Sequence, residues 1–249
     1  MTPTPPLIAL AALDAQLRTT GYAVVSAATV GQMATAASQT LAAWSPFWED
    51  LPADAYLKDG GRYRRRRHGC FVIEGGRVLA TPHRAHWQPV SYNALHGGLE
   101  RWFEPLPAAL AKDAAWLRLL YSLATHASAL RGQQPWYAEA HTFRIDTTDG
   151  IGRPTPEGAH RDGVDLVAVL LIGRQNVKGG ETRVFDADGP QGQRFTLTEP
   201  FSALLLDDER VIHESTPIQP QDPTLPAHRD TLVITLRAGG FQAPAILAG

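Results

Sequence analysis

The sequence predicts an α+β protein in which an α-helical N-terminal part packs against a C-terminal β-barrel. In the first half of the 249-residue chain, apolar residues recur at helical spacing, most clearly at 107–130. From Trp136 onward, apolar runs are short, rich in β-branched residues and bounded by turn residues, as is typical of strands. Because no repeat or long linker divides the chain, we expect one domain over 1–249, helical and loop-rich at 1–135 and β-rich at 136–249.

The N-terminal part contains signals for three helices and one strand. Residues 7–19 predict an amphipathic helix, 22–25 a short strand and 29–44 a second helix. Glycine pairs indicate that the segment 45–104 is rich in loops. The longest helix is predicted at 107–130, where leucines recur at helical spacing and a glycine follows shortly afterwards.

Four extended segments are predicted in the C-terminal part. Residues 164–172 form an apolar run with a single charge, which indicates a buried strand. Residues 203–206 are apolar, 207–209 form an acidic turn, and 210–213 lead out of that turn. Residues 230–236 are rich in β-branched side chains and predict the last strand.

The overall composition is that of an ordinary soluble globular protein. Apolar residues make up 44% and charged residues 19% of the chain, and the formal net charge is −2. This balance gives no reason to expect nucleic acid or acidic membranes as partners. Cys70 is the only cysteine, which excludes an intrachain disulfide and a zinc site built from cysteines. No segment predicts a membrane span or a signal peptide, so a cytoplasmic protein is expected.

A short motif and one remote histidine provide the strongest chemical signal. His160 and Asp162 are separated by one residue, so their side chains share a face if the segment is extended. His213 lies much further along the chain and must approach from a different strand. Two imidazoles and one carboxylate can occupy one face of an octahedral Fe(II) and leave positions open for a bidentate co-substrate and O2. We therefore expect a 2-His-1-carboxylate iron site.

A candidate receptor for a carboxylate follows on the last predicted strand. Arg229 and Thr231 are two residues apart and would share one face of that strand. A guanidinium beside a hydroxyl suits a carboxylate, because the guanidinium can donate two parallel hydrogen bonds. Four prolines lie between His213 and Arg229, which predicts an expanded loop between the two strands.

The 2-His-1-carboxylate set followed by Arg-x-Thr resembles the Fe(II)/2-oxoglutarate-dependent dioxygenases. Within that family, several short segments of the sequence are similar to a bacterial branch of free amino-acid hydroxylases that includes the L-isoleucine 4-hydroxylases. These segments are distributed over most of the chain. They are residues 88–93, 97–98, 141–145, 156–163, 179–182, 211–218 and 229–235.

The resemblance implies a fold, a reaction and a set of site residues. The fold is a double-stranded β-helix, or cupin-like jelly roll, with the N-terminal helices packed against it. Fe(II), 2-oxoglutarate and O2 are the expected cofactor and co-substrates. His160, Asp162 and His213 would hold the iron, and Arg229, supported by Thr231, would bind the far carboxylate of 2-oxoglutarate. The expected reaction is hydroxylation of an aliphatic C–H bond of a small free L-amino acid, with release of succinate and CO2.

Three residues near the motif and on a neighbouring candidate strand are candidates for binding the amino-acid head group. Arg144 could meet the substrate carboxylate, although a surface ion pair with Asp146 is the alternative. Glu157 precedes the metal motif and could receive the ammonium group, although an ordinary loop glutamate is the alternative. Asp165 follows the motif and could line the pocket or pair with Arg161.

A run of arginines from Arg62 to Arg67 is the sharpest concentration of charge. A solvated surface is the first interpretation, and nucleic-acid binding is disfavoured because few aromatic residues accompany the run. If the run is a strand, alternate side chains point the same way. We expect Arg65 and Arg67 to face inward, where Arg67 could bind a substrate carboxylate, and Arg64 and Arg66 to face outward.

Two other classes of function are left open by the sequence. One is a metal-binding, cupin-like protein or isomerase without O2 chemistry, which would not consume 2-oxoglutarate. The other is a dioxygenase that acts on a residue of a peptide or on a carrier-bound intermediate. A wide basic groove near 62–67 would favour that substrate, whereas a closed pocket sized for one amino acid would favour the free one.

Overall fold

Strands from both halves of the chain build two facing layers in the structure, a computed structural model that describes residues 6–244. The strands in this part of the chain are β1 (Tyr22–Val25), β2 (Arg64–Glu74), β3 (Arg77–Ala80), β4 (Trp136–Asp146), β5 (Leu166–Gln175), β6 (Val177–Gly179), β7 (Thr182–Asp186), β8 (Gly192–Phe195), β9 (Ala203–Asp207), β10 (Val211–Ser215), β11 (Ile218–Pro220) and β12 (His228–Ala238). The α-helices are α1 (Leu13–Thr20), α2 (Ala27–Ala34), α3 (Ser38–Ala42), α4 (Ala108–Ala111) and α5 (Ala114–Arg131).

The two layers are antiparallel sheets of different size. The larger sheet has seven strands in the order β1-β9-β5-β12-β4-β2-β3. The smaller layer consists of the sheet β10-β7-β8 and the pair β11-β6. An apolar core lies between the layers and includes Val167 and Leu171 from the larger sheet and Val184, Phe195 and Val211 from the smaller one. This arrangement is a double-stranded β-helix, which confirms the predicted jelly-roll fold.

The helices cover the outer face of the larger sheet. Leu119 and Leu123 of α5 are buried in a second apolar core together with Leu232 and Leu236 of β12. The alternate residues of β12, within the range 229–237, line a cavity on the other face of the sheet. Because one face of β12 packs against an apolar core and the other lines a polar cavity, apolar side chains recur at every second residue of its sequence.

The predicted helices are present in part. The helix expected at 7–19 begins only at the 3-10 turn Leu10–Ala12 and continues as α1, because Leu7 pairs with Val24 of β1. The other two predicted helices are interrupted. The helix expected at 29–44 is divided because Thr35 has a φ of 47°, a left-handed conformation that ends α2 before α3 begins. The helix expected at 107–130 is divided because Asp113 is extended and caps α5 by accepting a hydrogen bond from the Trp116 N–H. Within the described residues, none of the helices is long and apolar enough to cross a membrane.

The boundary expected at residue 136 does not separate helices from strands. β1, β2 and β3 come from the N-terminal part and complete the larger sheet, in which β2 pairs with β4 from Arg64 to Ile73. The segment 45–104 therefore contains an 11-residue strand that was not expected at this length. One face of β2 directs arginines into a polar cavity, so the apolar alternation that marks a buried strand is missing.

Candidate active site

His160 and His213 are hydrogen-bonded neighbours although they lie far apart in the sequence. The backbone N–H of His160 donates to the backbone carbonyl of His213 at 3.0 Å, and the backbone N–H of His213 donates to the backbone carbonyl of His160 at 2.9 Å. The centroids of the two imidazole rings are 4.7 Å apart. These backbone hydrogen bonds form an isolated antiparallel β-bridge between His160 and His213 of β10, and the bridge places the two rings beside one another.

The Asp162 carboxylate completes a group of three possible metal ligands. Asp162 Oδ1 lies 3.8 Å from His160 Nε2, and Asp162 Oδ2 lies 3.8 Å from His213 Nε2. The ligand atoms of the three side chains lie within 4.8 Å of one another, so a single ion could reach all of them. Asp162 lies in the loop that follows the bridge at His160, so the motif is not part of a regular strand.

One buried carboxylate holds the loop that carries Asp162. Asp208 accepts hydrogen bonds from the backbone N–H groups of Asp162, Gly163 and Val164 at 3.0, 2.7 and 3.1 Å. Burial and the nearby charge of Asp162 raise the pKa of Asp208 to about 7. Gly163 has a φ of 75°, which favours glycine over other residues at this turn. Asp208 thereby fixes the backbone that directs the Asp162 carboxylate.

The surroundings of the two histidines leave nitrogen atoms available to a metal. His160 Nδ1 lies 2.9 Å from the Gly158 carbonyl, which accepts its proton and leaves the Nε2 lone pair free. Burial lowers the pKa of His213 well below its usual range, so this imidazole is neutral. Burial also lowers the pKa of His160, but the carboxylates of Asp162 and Glu157 outweigh it and raise that pKa. The same two carboxylates would stabilise a bound cation.

A cavity between the two layers contains the three side chains and a buried arginine. Arg229 is 3% exposed, and its Nε atom has no hydrogen-bond partner among the described residues. Its acidic neighbour Asp230 pairs with Arg144 on the opposite face of the sheet. Burial, assisted by the charge of Arg174, lowers the pKa of Arg229 to about 10, so the guanidinium is charged at neutral pH. Thr231 lines the same cavity.

The arginines of β2 have the opposite orientation to the one expected. Arg64 and Arg66 line the cavity and are 6% and 4% exposed. Arg67 lies on the outer face, where it pairs with Glu104 at 2.6 Å, and Arg65 also lies outside the cavity. The prediction that Arg67 faces inward was therefore wrong. A shift of one residue in the phase of a strand exchanges its two faces, and no apolar pattern fixes that phase here.

One buried carboxylate balances the two inward arginines. Asp54 Oδ2 lies 2.7 Å from Arg64 Nε and 3.7 Å from Arg66 Nη1. Burial raises the pKa of Asp54, but the two guanidinium groups outweigh it and hold the pKa below its usual value. Arg66 Nη2 also donates to His141 Nδ1 at 2.6 Å. Asp54 therefore serves as a shared counterion for both arginines.

Two further candidates for binding the substrate lie outside the cavity. Arg144 donates two hydrogen bonds to Asp230 on the adjacent strand, at 2.8 and 2.7 Å. Asp165 accepts a hydrogen bond from the Ala238 N–H at 2.8 Å and lies 3.5 Å from Arg131. The prediction that Arg144 and Asp165 line the cavity was wrong, because both residues form their contacts with protein groups outside the cavity. For Arg144 the cause is strand alternation, since its two neighbours on β4 line the cavity instead.

Glu157 is the predicted head-group residue that the structure does bring to the cavity. Its Oε1 atom lies 3.6 Å from His160 Nε2. Its Oε2 atom is buried and has no hydrogen-bond partner among the described residues. One carboxylate oxygen is therefore free to accept a hydrogen bond from a bound molecule.

A buried cluster on the cavity wall was missed in the sequence. His68, His86, Glu139 and His141 are close enough to hold a metal ion. Their existing contacts oppose a cation, because the Arg66 guanidinium lies against His141 and His86 Nδ1 donates to Glu139 at 2.6 Å. Burial lowers the pKa of His86 to about 4, so His86 is a neutral donor. The sequence did contain one signal for this cluster: Glu139 and His141 are two residues apart, so on a strand their side chains share one face.

A second missed group joins the cavity to the metal motif. Arg101 is 2% exposed, and its Nη2 donates to Gln88 Oε1 at 2.9 Å. Gln88 Nε2 in turn donates to Asp162 Oδ1 at 3.3 Å. Arg101 and Gln88 lie in the segment 81–107, which has no helical or strand periodicity to show where its side chains point.

Comparison with known proteins identifies the family. A family model described as 2OG-Fe dioxygenase matches residues 45–235. The curated protein 3(1)-hydroxy-L-isoleucine 4-dioxygenase of Pantoea ananatis (strain AJ13355) is 24% identical over 195 residues, which cover 76% of this chain and 78% of that protein.

Solved structures share the fold over nearly the whole chain. The crystal structure of a bsmA homolog from Methylobium petroleophilum PM1 is 54% identical, with a TM-score of 0.92 over 98% of this chain and 99% of that one. The crystal structure of IDO from Bacillus thuringiensis is 16% identical, with a TM-score of 0.74 over 92% of this chain and 98% of that one. Since the family model covers most of the sequence, the chain belongs to the 2OG-Fe dioxygenase family, whose members use Fe(II), 2-oxoglutarate and O2.

Proposed function

We propose that this enzyme hydroxylates an aliphatic C–H bond of a small free L-amino acid and converts 2-oxoglutarate to succinate and CO2. The main observation behind this proposal is that two features lie in the same cavity. One is the group formed by His160, Asp162 and His213, and the other is the buried guanidinium of Arg229. The first suits a metal and the second suits an organic acid.

The three side chains His160, Asp162 and His213 would hold Fe(II). Their chemistry fits that ion, because two imidazoles and one carboxylate lie within 4.8 Å of one another and the carboxylate supplies negative charge. When bound, Fe(II) together with 2-oxoglutarate and O2 supplies the oxidising power to attack an unactivated C–H bond. The contribution of the protein is to hold the substrate carbon in position and to exclude water.

Arg229 would bind the 5-carboxylate of 2-oxoglutarate, with Thr231 beside it. A buried guanidinium without a counterion is costly, and a dicarboxylate that reaches it would remove that cost. The planar guanidinium can donate two hydrogen bonds to one carboxylate, which fixes the orientation of the co-substrate as well as its affinity.

Two observations support a free amino acid as the substrate. The relative from Pantoea ananatis acts, by its name, on a hydroxylated L-isoleucine. The cavity combines buried charges of both signs with an apolar surface that includes Val164, Val169 and Val233. An aliphatic amino acid requires this combination, since it carries a carboxylate, an ammonium group and an apolar side chain. Glu157, with its free carboxylate oxygen, would receive the ammonium group.

The experiment that tests this function is a screen of free L-amino acids. The protein is loaded with Fe(II) and incubated with 2-oxoglutarate, ascorbate and each amino acid in turn. Mass spectrometry measures a product heavier by one oxygen atom, and succinate is measured in the same samples. We expect an oxygenated product from at least one aliphatic amino acid, in step with succinate.

The same screen includes the methyl ester and a short peptide of each aliphatic residue. Equal turnover of the amino acid and its ester, or oxygenation of the peptide alone, would instead assign a peptide- or carrier-bound substrate. A wide basic groove near 62–67 would have favoured such a substrate. The arginine run does not form one, because Arg64 and Arg66 are buried in the cavity and Arg65 and Arg67 pair with acidic residues outside it.

A further inference from the structure

Arg101 is a buried cation at the cavity wall that binds neither the metal nor 2-oxoglutarate in the scheme above. It is 2% exposed and lines the cavity. Its Nη2 donates to Gln88, and its Nε has no hydrogen-bond partner among the described residues. Burial lowers its pKa to about 10, so it is still charged at neutral pH. A buried charge of this kind is stable only if an anion lies nearby or is brought by a ligand.

The other buried arginines of the cavity have different surroundings. Arg64 and Arg66 share the Asp54 carboxylate at 2.7 and 3.7 Å. Within residues 6–244, neither Arg101 nor Arg229 forms an ion pair with an acidic side chain, although both are buried and charged. The cavity therefore offers two buried guanidinium groups without a carboxylate partner, whereas the half-buried Arg237 donates to the Gly240 carbonyl. The proposed reaction brings two organic acids to the cavity.

We propose that Arg101 binds the α-carboxylate of the substrate and that Glu157 receives its ammonium group. This inference rests on the proposed function, because Arg229 is assigned to 2-oxoglutarate and leaves Arg101 for the second acid. A free carboxylate is then a requirement for binding, since an amide or ester cannot neutralise the buried guanidinium. The substrate class is narrowed to α-amino acids that are unmodified at both ends of the head group.

Glu157 suits the ammonium group better than Glu139, the other glutamate that lines the cavity. Both oxygens of Glu139 are already engaged, one by His86 at 2.6 Å and the other near His68 at 3.7 Å. Glu157 keeps a buried oxygen without a partner. Glu157 and Arg101 also line the same cavity. An amino-acid head group has the opposite charges to this pair of side chains.

Backbone and side-chain contacts hold Arg101 rigidly relative to the metal motif. Arg101 and His86 exchange two backbone hydrogen bonds, each of 2.9 Å. Gln88 accepts from Arg101 and donates to Asp162, so one amide spans the distance between the carboxylate receptor and a metal ligand. The position of the bound carboxylate therefore sets which carbon of the substrate lies nearest the metal.

The test measures binding without turnover. The protein is loaded with Mn(II) and 2-oxoglutarate, and its melting temperature is recorded with each of the common L-amino acids and with each corresponding amide. We expect at least one amino acid, and not its amide, to stabilise the wild-type protein. In Arg101→Gln the affinity for that amino acid falls about 100-fold or more, as is usual when one partner of a buried charge pair is removed. Glu157→Gln also lowers the affinity for that amino acid.

Arg67→Gln is the matched control, because Arg67 lies on the outer face of β2 and pairs with Glu104. This variant binds the amino acid as the wild type does. Arg101→Lys retains the charge but loses the planar fork, so its affinity is intermediate; it also provides a readout if Arg101→Gln does not fold. The proposal is overturned if either Arg101 variant binds the amino acid like the wild type, if amides bind as well as acids, or if no amino acid stabilises the wild type.

A second readout separates this proposal from the proposed function. Binding of 2-oxoglutarate to the Mn(II)-loaded protein is measured by calorimetry in Arg101→Gln and Arg229→Gln. We expect Arg101→Gln to weaken binding of the amino acid much more than binding of 2-oxoglutarate, and Arg229→Gln to show the reverse. If Arg101→Gln weakens 2-oxoglutarate binding as much as Arg229→Gln does, the residue acts on the co-substrate and the proposal fails. If the wild type binds amino acids through Arg101 but never oxygenates them, the receptor stands and the proposed reaction fails.

Discussion

Arg101 and Asp162 are joined by a single side chain, because the Gln88 amide accepts a hydrogen bond from Arg101 at 2.9 Å and donates one to Asp162 at 3.3 Å. Asn93 donates to the same Gln88 oxygen at 3.2 Å, which fixes the orientation of the amide. The residue proposed to receive the substrate carboxylate and one of the three proposed metal ligands are thus held in one hydrogen-bonded chain. Under these two proposals, the chain links substrate placement to the chemistry of the site.

Gln88→Ala should therefore weaken the coupling between substrate binding and reaction. One hydrogen bond is worth about 1 kcal/mol, so the KM for the amino acid should rise about five-fold. The ratio of oxygenated product to succinate should fall, because the substrate carbon is held less firmly. Both quantities are measured in one assay by mass spectrometry. An unchanged ratio together with an unchanged KM would remove Gln88 from this role.

Asp162→Ala should abolish turnover, because it removes the anionic member of the proposed ligand set. The expected loss is complete within the detection limit of a succinate assay. Asp188→Ala is the control, since Asp188 is an exposed aspartate and should leave the rate unchanged. Hydroxylation by Asp162→Ala at a measurable rate would contradict the assignment of this carboxylate.

Arg229→Ala should raise the KM for 2-oxoglutarate about ten-fold or more, which corresponds to the loss of roughly 1.5–3 kcal/mol of charge-assisted hydrogen bonding. The KM for the amino acid should change much less. Arg65→Ala serves as the control, because Arg65 is on the outer face of β2 beside Asp146. If the KM for 2-oxoglutarate does not move, another arginine of the cavity binds that carboxylate.

Asp208→Ala should weaken metal binding although it removes none of the three proposed ligands. Asp208 holds three backbone N–H groups of the loop that carries Asp162, so its loss should lower the affinity for Fe(II) or Mn(II) about 10- to 100-fold. Isothermal calorimetry with Mn(II) measures the change. Glu209→Ala is a neighbouring control at a more exposed side chain. Equal Mn(II) affinity in the two variants would show that the loop is fixed by other contacts.

Asp54→Asn should destabilise the fold by about 3–5 kcal/mol, because Arg64 and Arg66 lose their shared counterion inside the protein. Urea unfolding at neutral pH measures this loss. Asp149→Asn is the control, since that carboxylate pairs with Arg62 at the surface and should have no measurable effect. Similar stabilities of Asp54→Asn and the wild type would mean that the cavity tolerates both arginines unpaired.

The same carboxylate predicts how stability depends on pH. The pKa of Asp54 is lowered in the folded protein, so its stabilising contribution is present above the unfolded pKa of about 3.9. The contribution is lost as the pH falls through the lower folded pKa. The wild type should therefore lose more stability than Asp54→Asn between neutral pH and the acid range. Parallel curves for the two proteins would contradict this origin of the acid sensitivity.

The sequence allowed the metal-facing residues and Arg229 to be proposed because local patterns constrain them. His160 and Asp162 are close in the chain, and β12 has a strong alternation that sets the inward face of Arg229. His213 is the exception, because its approach to His160 is a long-range contact. The jelly-roll fold followed from the resemblance, and the length and order of strands after Trp136 agreed with it.

The orientation of the remaining charged residues could not be obtained in the same way. Arg67 was placed on the wrong face because β2 has arginine on both faces, and the phase of such a strand is set only by pairing with β4. Arg144 was misplaced because its partner Asp230 lies on a strand far along the chain. Arg101 was missed because a loop without periodicity carries it to the cavity.

The most direct test of the central claim is to locate iron in crystals grown with Fe(II) without oxygen. Anomalous diffraction at the iron absorption edge shows where the ion binds. We expect one peak, at roughly 2.0–2.2 Å from His160 Nε2, the Asp162 carboxylate and His213 Nε2. A peak at the buried cluster of His68, His86, Glu139 and His141 with none at the three proposed ligands would contradict the account.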